Sequence, residues 1–244
     1  MKIQSIWRYP VKSLLGEPVQ ETMVDERGIS GDRIYAITDT RGKLGSGKST
    51  NTFQRIDNLL SMQAASRDGT TFIKLPDGRK APVGSPELTR LLSDFLAQDV
   101  TVTREMDTPH FDDGAVHIIL SSDLEKLQSL NPGSDADPRR FRANVILDTP
   151  GHMTAEDLLG RVLTIGSTRL KITHPTERCV MVTAKQHDLP SNPGILKAIS
   201  NGEDVHFGVY ASVLIPGKIE VGQAVDTSAK PGGNAANSRR KFGL

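Results

Sequence analysis

The chain has 244 residues, 36% of them hydrophobic, with 30 Lys and Arg against 29 Asp and Glu. This near balance of charge argues against a nucleic-acid partner, and the lack of a signal peptide or of a run of roughly 18 apolar residues argues against a membrane protein. The one cysteine, Cys179, allows no internal disulfide, which is typical of a cytoplasmic protein.

The first part of the chain is rich in strand patterns. Alternating or β-branched runs predict strands at residues 2–8, 19–24, 33–38, 71–75 and 100–104, and the Asp-Gly pairs at 68–69 and 77–78 predict tight turns. The clearest helix, residues 85–98, has Ser85 as its N-cap, Pro86 in its first turn and a leucine stripe with helical spacing. The polar residues 105–115 then predict a domain boundary.

The second part also alternates between short elements. The patterns predict strands at residues 116–120, 144–147, 162–165, 169–173 and 180–183, and helices from Ser122, at 154–159 and at 193–200. Residues 174–178 are expected to form a polar loop, residues 207–215 and 218–221 a hairpin around Pro216 and Gly217, and residues 228–244 a disordered tail. The predicted fold class is therefore mostly β with some α (α+β).

The stretch GKLGSGKS, from Gly42 to Ser49, matches the P-loop pattern. In a P-loop the backbone N–H groups bind a phosphate, the lysine meets the outer phosphates and the last hydroxyl reaches Mg²⁺. A P-loop lies between a buried parallel strand and its crossover helix, whereas the neighbouring segments here are short alternating strands with Asp-Gly turns. A P-loop NTPase is therefore the less favoured hypothesis, and a flexible glycine-rich hairpin tip is the alternative.

Cys179 carries the most chemical information of any single residue. A lone cysteine is often just a small buried hydrophobic side chain. However, Cys179 follows a polar segment and stands beside Arg178, and a cation next to a thiol favours the thiolate, the form that acts as a nucleophile or metal ligand. The six histidines form no closely spaced group with it, so a structural zinc site is not expected.

Basic residues recur in turn-like settings, namely Lys12, Arg33, Arg55, Arg139, Arg140 and Arg142. Such residues are usually solvated surface charges, but several of these stand beside Ser, Gly or Asn in settings suited to holding a phosphate. Ser121 and Ser122 lie at a predicted helix N-terminus, which is itself suited to an anion. A thiolate together with a basic rim suggests a phosphorylated cofactor that carries a metal.

An ordered set of segments makes the chain resemble a known family. The set comprises YPVKS (9–13), GDR (31–33), ILSS (119–122), FRANVIL (141–147), the pair Arg178-Cys179 with Thr183, FGVYASV (207–213) and GKIEVGQAV (217–225). It resembles the MOSC proteins, which include the C-terminal domain of molybdenum cofactor sulfurase. The particular similarity is to the branch with an N-terminal MOSC β-barrel domain, which includes the mitochondrial amidoxime-reducing component and its bacterial relatives.

The resemblance implies two domains with a cofactor between them. Residues 1–108 would form the N-terminal β-barrel-like domain and residues 109–227 the MOSC β-barrel, with 228–244 as the tail. The cleft between the domains would hold molybdenum cofactor, a pterin with a phosphate and dithiolene-bound molybdenum. By the same resemblance, residues 34–56 would be two strands joined by a turn at residues 40–42, so that GSGKST falls in a loop.

The resemblance also implies roles for individual residues. Cys179 matches the family cysteine that ligates molybdenum in the reducing members and handles sulfur in the sulfurases. The expected cofactor-binding residues are Lys12, Ser13, Arg33, Arg55, Ser121, Arg142, Asn144, Arg178, Phe207, Gly208 and Tyr210.

Three functions are open at this point. The leading hypothesis is a molybdenum-cofactor-dependent oxidoreductase that reduces small N-hydroxylated compounds with electrons from a separate flavin or iron–sulfur protein. The second is a sulfur-transfer protein with a persulfide on Cys179, and the third is the P-loop NTPase. Pyridoxal phosphate is not expected, because no lysine stands in a context typical of a Schiff base.

Overall fold

The computed structural model describes residues 1–130, 136–200 and 205–227, so the predicted tail at 228–244 lies outside the described residues. Within them the fold is mostly β-strand with three α-helices, as the sequence predicted. None of the helices described is long and apolar enough to cross a membrane.

The strands are β1 (Lys2–Arg8), β2 (Glu17–Val19), β3 (Glu21–Asp25), β4 (Gly28–Ile29), β5 (Tyr35–Asp39), β6 (Leu44–Ser46), β7 (Phe53–Arg55), β8 (Gln63–Arg67), β9 (Thr70–Lys74), β10 (Lys80–Pro82), β11 (Val100–Arg104), β12 (Val116–Leu120), β13 (Val145–Asp148), β14 (Val162–Ile165), β15 (Thr168–Glu177), β16 (His206–Ile215), β17 (Gly217–Glu220) and β18 (Asp226–Thr227). The helices are α1 (Pro86–Leu96), α2 (Ser121–Leu130) and α3 (Gly194–Ser200), and short 3-10 turns lie at Leu59–Ser61, Pro138–Phe141, Ala155–Leu158 and Val180–Thr183.

The largest sheet combines strands from both ends of the chain. Its order is β18-β14-β15-β16-β12-β13-β1-β2, with β12 and β13 parallel and the other neighbours antiparallel. The backbone N–H of Ile3 also donates to the carbonyl of Gln223 at 2.9 Å, and that of Val225 to the carbonyl of Met1 at 2.9 Å. Because β1 thereby contacts the segment that leads into β18, the sheet curves back on itself.

The buried hydrophobic side chains of the described residues form three clusters. One lies between α1 and the smaller sheets and runs in sequence from Val11 to Val100. A second contains Leu127 of α2, Ile195 of α3 and the rings of Phe141 and Phe207. The largest lies under the large sheet and takes Ile3, Ile6 and Val24 from the N-terminal region. The strands β1, β3 and β4 therefore pack with the strands that follow residue 116, and the domain division at residue 108 stays a prediction.

Local sequence signals account for the best-predicted elements. The Ser85 hydroxyl accepts a hydrogen bond from the Leu88 N–H at 3.1 Å, and this satisfies one free donor of the first turn of α1. Asp68 and Gly69 both have positive φ angles, 50° and 77°, in the two-residue turn between β8 and β9. That backbone is the one that an Asp-Gly hairpin turn requires.

Two predicted segments before and after Cys179 are wrong. Residues 174–177, predicted as a loop, continue β15 through Glu177, because they pair across the sheet with β16. Residues 180–183, predicted as a strand from their β-branched side chains, form a 3-10 turn. The Val182 N–H donates to the Cys179 carbonyl at 3.2 Å and the Thr183 hydroxyl to the Val180 carbonyl at 2.7 Å, and these local bonds replace a strand ladder.

The predicted hairpin around Pro216 and Gly217 is also wrong. The two strands exist, but β17 pairs antiparallel with β3 rather than with β16. Ile219 on β17 is fully buried in the same cluster as Val24 on β3, so burial against a distant strand decides the pairing. A hairpin signal in the sequence cannot reveal such a partner.

Candidate functional site

A cavity of about 370 Å³ is lined by residues from both halves of the chain. Its volume lies within the range of small-molecule sites. The expected cofactor residues that line it are Lys12, Ser13, Arg33, Arg142, Arg178, Cys179 and Tyr210. Six lining side chains are cationic, including Lys48 and Arg140, and three are acidic, namely Asp112, Asp113 and Glu177. This excess of positive charge favours an anionic ligand.

We call Lys12, Arg33, Arg142 and Arg178 the cationic wall. Tyr9 holds two of its members, since the guanidinium groups of Arg33 and Arg142 lie 5.0 and 4.4 Å from the centre of its ring. The Arg33 Nη2 donates to the carbonyl of Arg142 at 3.1 Å, and the Arg142 Nη1 donates to the carbonyl of Leu14. Both guanidinium groups are therefore fixed against backbone and ring.

Asp32 is the buried counter-ion of this wall. Its carboxylate is ion-paired with Arg33 and accepts a hydrogen bond from the backbone N–H of Tyr9 at 2.7 Å, and no part of Asp32 contacts solvent. Burial opposes the charge of Arg33, but Asp32 and Asp112 together hold the pKa of Arg33 above its ordinary value. The Arg33 side chain is thus a permanent cation at the cavity.

Burial shifts the pKa of Arg142 and of the supporting Tyr9, but neither group changes its protonation state at neutral pH. Desolvation and the nearby Arg33 lower the pKa of Arg142 to about 10, so that the side chain is still a cation at neutral pH. Desolvation raises the pKa of Tyr9 to about 12, and its hydroxyl therefore stays protonated. The ring that supports the arginines consequently adds no negative charge.

The backbone at the cavity is strained in three places. Ser13, Arg33 and Arg142 have positive φ angles of 64°, 52° and 54°. A non-glycine residue in the left-handed region costs of order 1–3 kcal/mol, and such residues cluster at functional sites. The Arg33 N–H donates to the Tyr9 carbonyl at 2.7 Å and the Ser13 hydroxyl to the Gly45 carbonyl at 2.9 Å, so these conformations are held by hydrogen bonds.

Lys12 joins the wall to residues 105–115. Its Nζ donates to the carbonyl of His110 at 2.9 Å and to the Asp112 carboxylate at 2.5 Å. Burial lowers the pKa of Lys12, and Asp112 opposes that shift. Although desolvation acts in the other direction, Lys12 lowers the pKa of Asp112 to about 2. The Asp112 carboxylate is therefore ionised at neutral pH, and its contact with Lys12 connects residues that lie 100 positions apart in sequence.

Two polar atoms at the cavity have no hydrogen-bond partner among the described residues, namely Nε of Arg178 and Nε2 of His117. The Arg178 Nη2 donates to the carbonyl of Phe141 at 2.9 Å, which fixes the guanidinium group. Burial and the charges of Arg178 and Arg33 hold the pKa of His117 well below 6.5, so the ring is neutral. Since an unpaired buried polar atom costs about 1–3 kcal/mol, both atoms are positions for a ligand contact.

We call residues 179–183 the thiol turn. Cys179 is solvent-exposed, lines the cavity and directly precedes the 3-10 turn Val180–Thr183. The backbone N–H of Arg178 donates to the carbonyl of Val205 at 2.7 Å, which anchors the chain just before the thiol. The thiol is thus accessible from solvent on the same cavity that the cationic wall lines.

The stretch from Gly42 to Ser49 does not form a P-loop. β6 lies within it, and the next regular element is the strand β7, with no helix between residues 44 and 58. The turn at residues 40–42 lies where the family resemblance places it, with the Gly42 N–H bonded to the Asp39 carbonyl at 3.0 Å. A Cβ on Gly47 would stand 2.0 Å from Met181 Sδ. The loop therefore packs on the thiol turn and brings Lys48 to the cavity.

Two expected cofactor residues lie away from the cavity. Arg55 is exposed, forms an ion pair with Asp57 at 3.0 Å and lines an adjacent cavity of about 290 Å³. The Ser121 hydroxyl accepts a hydrogen bond from the Thr149 N–H at 3.0 Å at the start of α2. Their roles in cofactor binding stay predictions.

Three other expected residues do not line the cavity either, and two of them, Phe207 and Gly208, line a separate cavity of about 260 Å³. The buried Asn144 accepts a hydrogen bond from the His117 N–H at 3.1 Å. The ring of Phe207 packs on that of Phe141 with their centres 4.4 Å apart. Gly208, at φ 83°, leaves space for His117, since a Cβ there would lie 2.7 Å from His117 Nε2.

Sequence reasoning missed several residues of the site. Asp32 stands inside the GDR segment, and a carboxylate next to an expected phosphate-binding arginine was an available signal. His117 is the one polar residue of the apolar strand VHIIL, which also marked it. Asp112 and Met181 carry no local signal, because their contacts with Lys12 and Gly47 span distant parts of the chain.

The comparison with protein families covers nearly the whole chain. The model of the MOSC domain matches residues 105–226, and that of the MOSC N-terminal beta barrel domain matches residues 1–124. The chain belongs to the MOSC family. The MOSC match contains the thiol turn, Arg142 and Arg178, whereas Lys12, Ser13 and Arg33 fall in the N-terminal match. The cavity of this MOSC protein therefore draws on both family segments.

Curated relatives of this MOSC protein include molybdenum cofactor sulfurases. That of Drosophila pseudoobscura pseudoobscura is 36% identical over 75 residues, which are 30% of this chain and 9% of that protein. That of Drosophila erecta is 32% identical over 97 residues, which are 39% of this chain and 12% of that protein. The chain thus matches a small part of these relatives. The crystal structure of the YuaD protein from Bacillus subtilis is similar in fold, with a TM-score of 0.51 and 15% identity over 93% of this chain and 94% of that one.

Proposed function

We propose that this MOSC protein binds molybdenum cofactor in the cavity and acts as an oxidoreductase that reduces small N-oxygenated compounds. The observation that carries the proposal is the position of Cys179, whose exposed thiol lines the same cavity as the cationic wall. A soft thiolate suits a redox-active metal, and arginines suit a phosphate. The sulfurases to which part of the chain is similar are named for this cofactor, which supports the proposal.

The residues of the cavity fit a group that is anionic at one end and metal-bearing at the other. Lys12, Arg33 and Arg142 would hold the phosphate, since all three line the cavity and are close enough for both arginines to act electrostatically on Lys12. The Arg178 Nε, which has no partner among the described residues, offers a donor to the pterin. Cys179 would supply the protein ligand to molybdenum.

The bound cofactor would supply two-electron redox chemistry. The residues of the chain would bind and orient it. Hydrogen bonds and the Tyr9 ring fix Arg33 and Arg142 and so pre-position the charges that meet the phosphate. The neutral ring of His117 adds a polar contact without adding charge beside Arg178.

The exposure of Cys179 leaves the metal end of the cavity open to other molecules. Substrates would be N-hydroxylated bases, amidoximes or hydroxamic acids, small enough to reach this edge. Because the chain has one cysteine, it cannot hold an iron–sulfur cluster on its own thiolates, and a separate flavin or iron–sulfur protein would deliver electrons. We also place the reaction in the reducing cytoplasm, because the single cysteine allows no internal disulfide.

Metal analysis tests this proposal. Wild type, Cys179→Ala and Val180→Ala, an exposed neighbour in the thiol turn, are purified from a host that makes molybdenum cofactor. We expect close to one molybdenum per chain in the wild type and in Val180→Ala, and little in Cys179→Ala. Reduction of benzamidoxime by a reduced viologen dye should be lost only in Cys179→Ala. A Cys179→Ala protein that keeps both molybdenum and turnover would show that the ligand assignment is wrong.

The exposure of the thiol also supports a second candidate function, sulfur transfer through a persulfide on Cys179. A persulfide must be reachable by an acceptor, and a buried thiol could not meet that requirement. Mass spectrometry of molybdenum-free protein tests this candidate. An added mass of one sulfur atom on Cys179, removed by dithiothreitol, would favour it, and an unmodified thiol in a molybdenum-loaded protein would count against it.

A further inference from the structure

A second, smaller cavity lies beside the rings of Trp7 and Tyr9. Trp7 lies on β1, and Tyr9 directly follows Arg8, the last residue of that strand. Their rings are nearly parallel, at 20°, with centres 6.4 Å apart. The cavity has about 120 Å³. This volume is somewhat below the ~150 Å³ of an apolar cavity that binds benzene, so the space is close to the size of one six-membered ring.

Gln186 gives this cavity a specific polar group. Gln186 is 2% exposed and lines the cavity, and its Oε1 has no hydrogen-bond partner among the residues that the structure describes. Its Nε2 donates to the carbonyl of Arg140 at 3.5 Å, which leaves Oε1 as the available acceptor. Reciprocal backbone bonds with Leu189, at 2.9 and 2.6 Å, fix the main chain at Gln186.

The charges around this cavity are paired with one another. Arg139 forms ion pairs with Asp137 at 2.6 Å and with Asp188 at 3.0 Å. The remaining lining includes the apolar side chains of Pro18 and Leu189. Because the charges at the rim are already compensated, the cavity favours a neutral ligand rather than an anion.

We propose that this cavity, the Trp7 cavity, binds a neutral single-ring aromatic ligand that carries an N–H donor, such as a ring carboxamide or an amino-substituted heterocycle. The ring packs on Trp7 and Tyr9, and the N–H donates to Gln186 Oε1. A buried acceptor without a donor costs free energy. The cavity should therefore bind a ligand that supplies an N–H donor more tightly than a similar ligand that lacks one.

Tyr9 lies between this site and the main cavity. It lines the Trp7 cavity but not the main one, whereas Arg33 and Arg142, which contact its ring, line the main cavity but not the Trp7 cavity. The proposed site is therefore distinct from the molybdenum site and does not depend on it. A ligand in the Trp7 cavity would contact the same ring that supports two members of the cationic wall.

Intrinsic fluorescence tests the proposal, because Trp7 is the one tryptophan of the chain. The full chain is titrated with benzamide and with methyl benzoate, which has the same ring but no N–H donor. We expect a saturable change of Trp7 emission with benzamide and a dissociation constant roughly tenfold higher for methyl benzoate, the ratio that corresponds to one hydrogen bond of about 1.4 kcal/mol. Gln186→Met should abolish this preference.

The control addresses the other space that Trp7 lines, a larger groove of about 970 Å³ that also contains Gln128. Gln128→Met should leave the benzamide affinity unchanged. The proposal is overturned by the lack of a saturable signal with benzamide, by equal affinities of the wild type for the two ligands, or by an affinity that responds to Gln128→Met and not to Gln186→Met. If Gln186→Met fails to fold, the two ligands with wild-type protein still decide the question.

Discussion

The cationic wall and the thiol turn line the same cavity, but different interactions hold them in place. Arg33 and Arg142 lie on a left-handed backbone, contact the Tyr9 ring and donate to backbone carbonyl groups. Cys179 is exposed, its turn has no side-chain cap, and the next residue, Val180, is 60% exposed. The wall is therefore built to fix an anion, whereas the thiol turn is built for access.

Because of this difference, substitutions behind the wall and substitutions of the thiol should change different properties of the protein. Substitutions in the buried network behind the wall should weaken the fold, because they leave polar groups unpaired away from water. Substitutions of the thiol should leave the fold intact and change only what the cavity can bind, since exposed side chains contribute little to stability. The predictions below test this separation, from the largest expected effect to the smallest.

Removal of the Asp32 carboxylate should have the largest effect on stability. Asp32 is fully buried between Arg33 and the Tyr9 N–H, so Asp32→Ala leaves a buried guanidinium without its counter-ion. Breaking a buried ion pair in this way costs about 3–5 kcal/mol. Urea denaturation should therefore give a free energy of unfolding lower by that amount.

Two control variants make the Asp32 experiment specific. Asp77→Ala removes one partner of an exposed pair with Arg79 and should leave the unfolding curve unchanged. Cys179→Ala, at the other side of the cavity, should also unfold like the wild type. Equal stability losses in Asp32→Ala and Cys179→Ala would contradict the separation of the wall from the thiol turn.

His117 should make the protein sensitive to mild acid. Its pKa in the folded protein is lowered by burial and by Arg178 and Arg33, so the unfolded chain binds a proton below about pH 6.5 that the folded chain does not. Stability should therefore fall as the pH decreases from 7 to 5, with a contribution from this group of at most about 1.4 kcal/mol per pH unit. Denaturation curves at several pH values measure the slope.

His117→Gln removes the titrating group and provides the comparison. The wild-type slope also contains His110, whose pKa burial lowers in the same direction, so the difference between wild type and variant is the informative quantity. We expect a shallower slope in the variant between pH 7 and 5. Parallel slopes would mean that His117 is protonated in the folded protein and that its ring is not the neutral group that the cavity requires.

Local signals in the sequence predicted those parts of the molecule that local interactions decide. The Ser85 cap of α1 and the Asp-Gly turn between β8 and β9 depend on neighbouring residues, and both were predicted correctly. The pairing of β17 with β3 depends on burial of Ile219 against a strand almost 200 positions earlier, and no local pattern contains that information. The β-branched run after Cys179 favoured a strand, but hydrogen bonds within the turn prevailed.

The same reasoning applies to the candidate site. Lys12, Arg33 and Arg142 could be named from the sequence because they stand in motifs with the expected order. The Lys12–Asp112 contact and the packing of Gly47 on Met181 could not, since each joins segments that only the folded chain brings together. Four of the six basic residues noted in the sequence line the cavity, namely Lys12, Arg33, Arg140 and Arg142. Arg55 and Arg139 do not, and only the folded structure makes that distinction.

Arg55 tests that distinction and should show the smallest effect. The sequence grouped it with the cofactor-binding cations, but its side chain is 65% exposed and pairs with Asp57, whose side chain is 73% exposed. A pair of this kind contributes about 0–1 kcal/mol, so Arg55→Ala should unfold within about 0.5 kcal/mol of the wild type. Its molybdenum content after purification should also equal that of the wild type.

Arg142→Ala is the matched variant inside the wall. It removes a half-buried cation that lines the cavity and contacts Tyr9, and its molybdenum content should fall well below that of Arg55→Ala. A loss of metal in Arg55→Ala as large as in Arg142→Ala would extend the binding site through the adjacent cavity, which shares Ser13, Leu60 and Met181 with the main one. In that case the surface beside β7 would belong to the cofactor site. A position in the cationic wall would then no longer decide which arginines hold the phosphate.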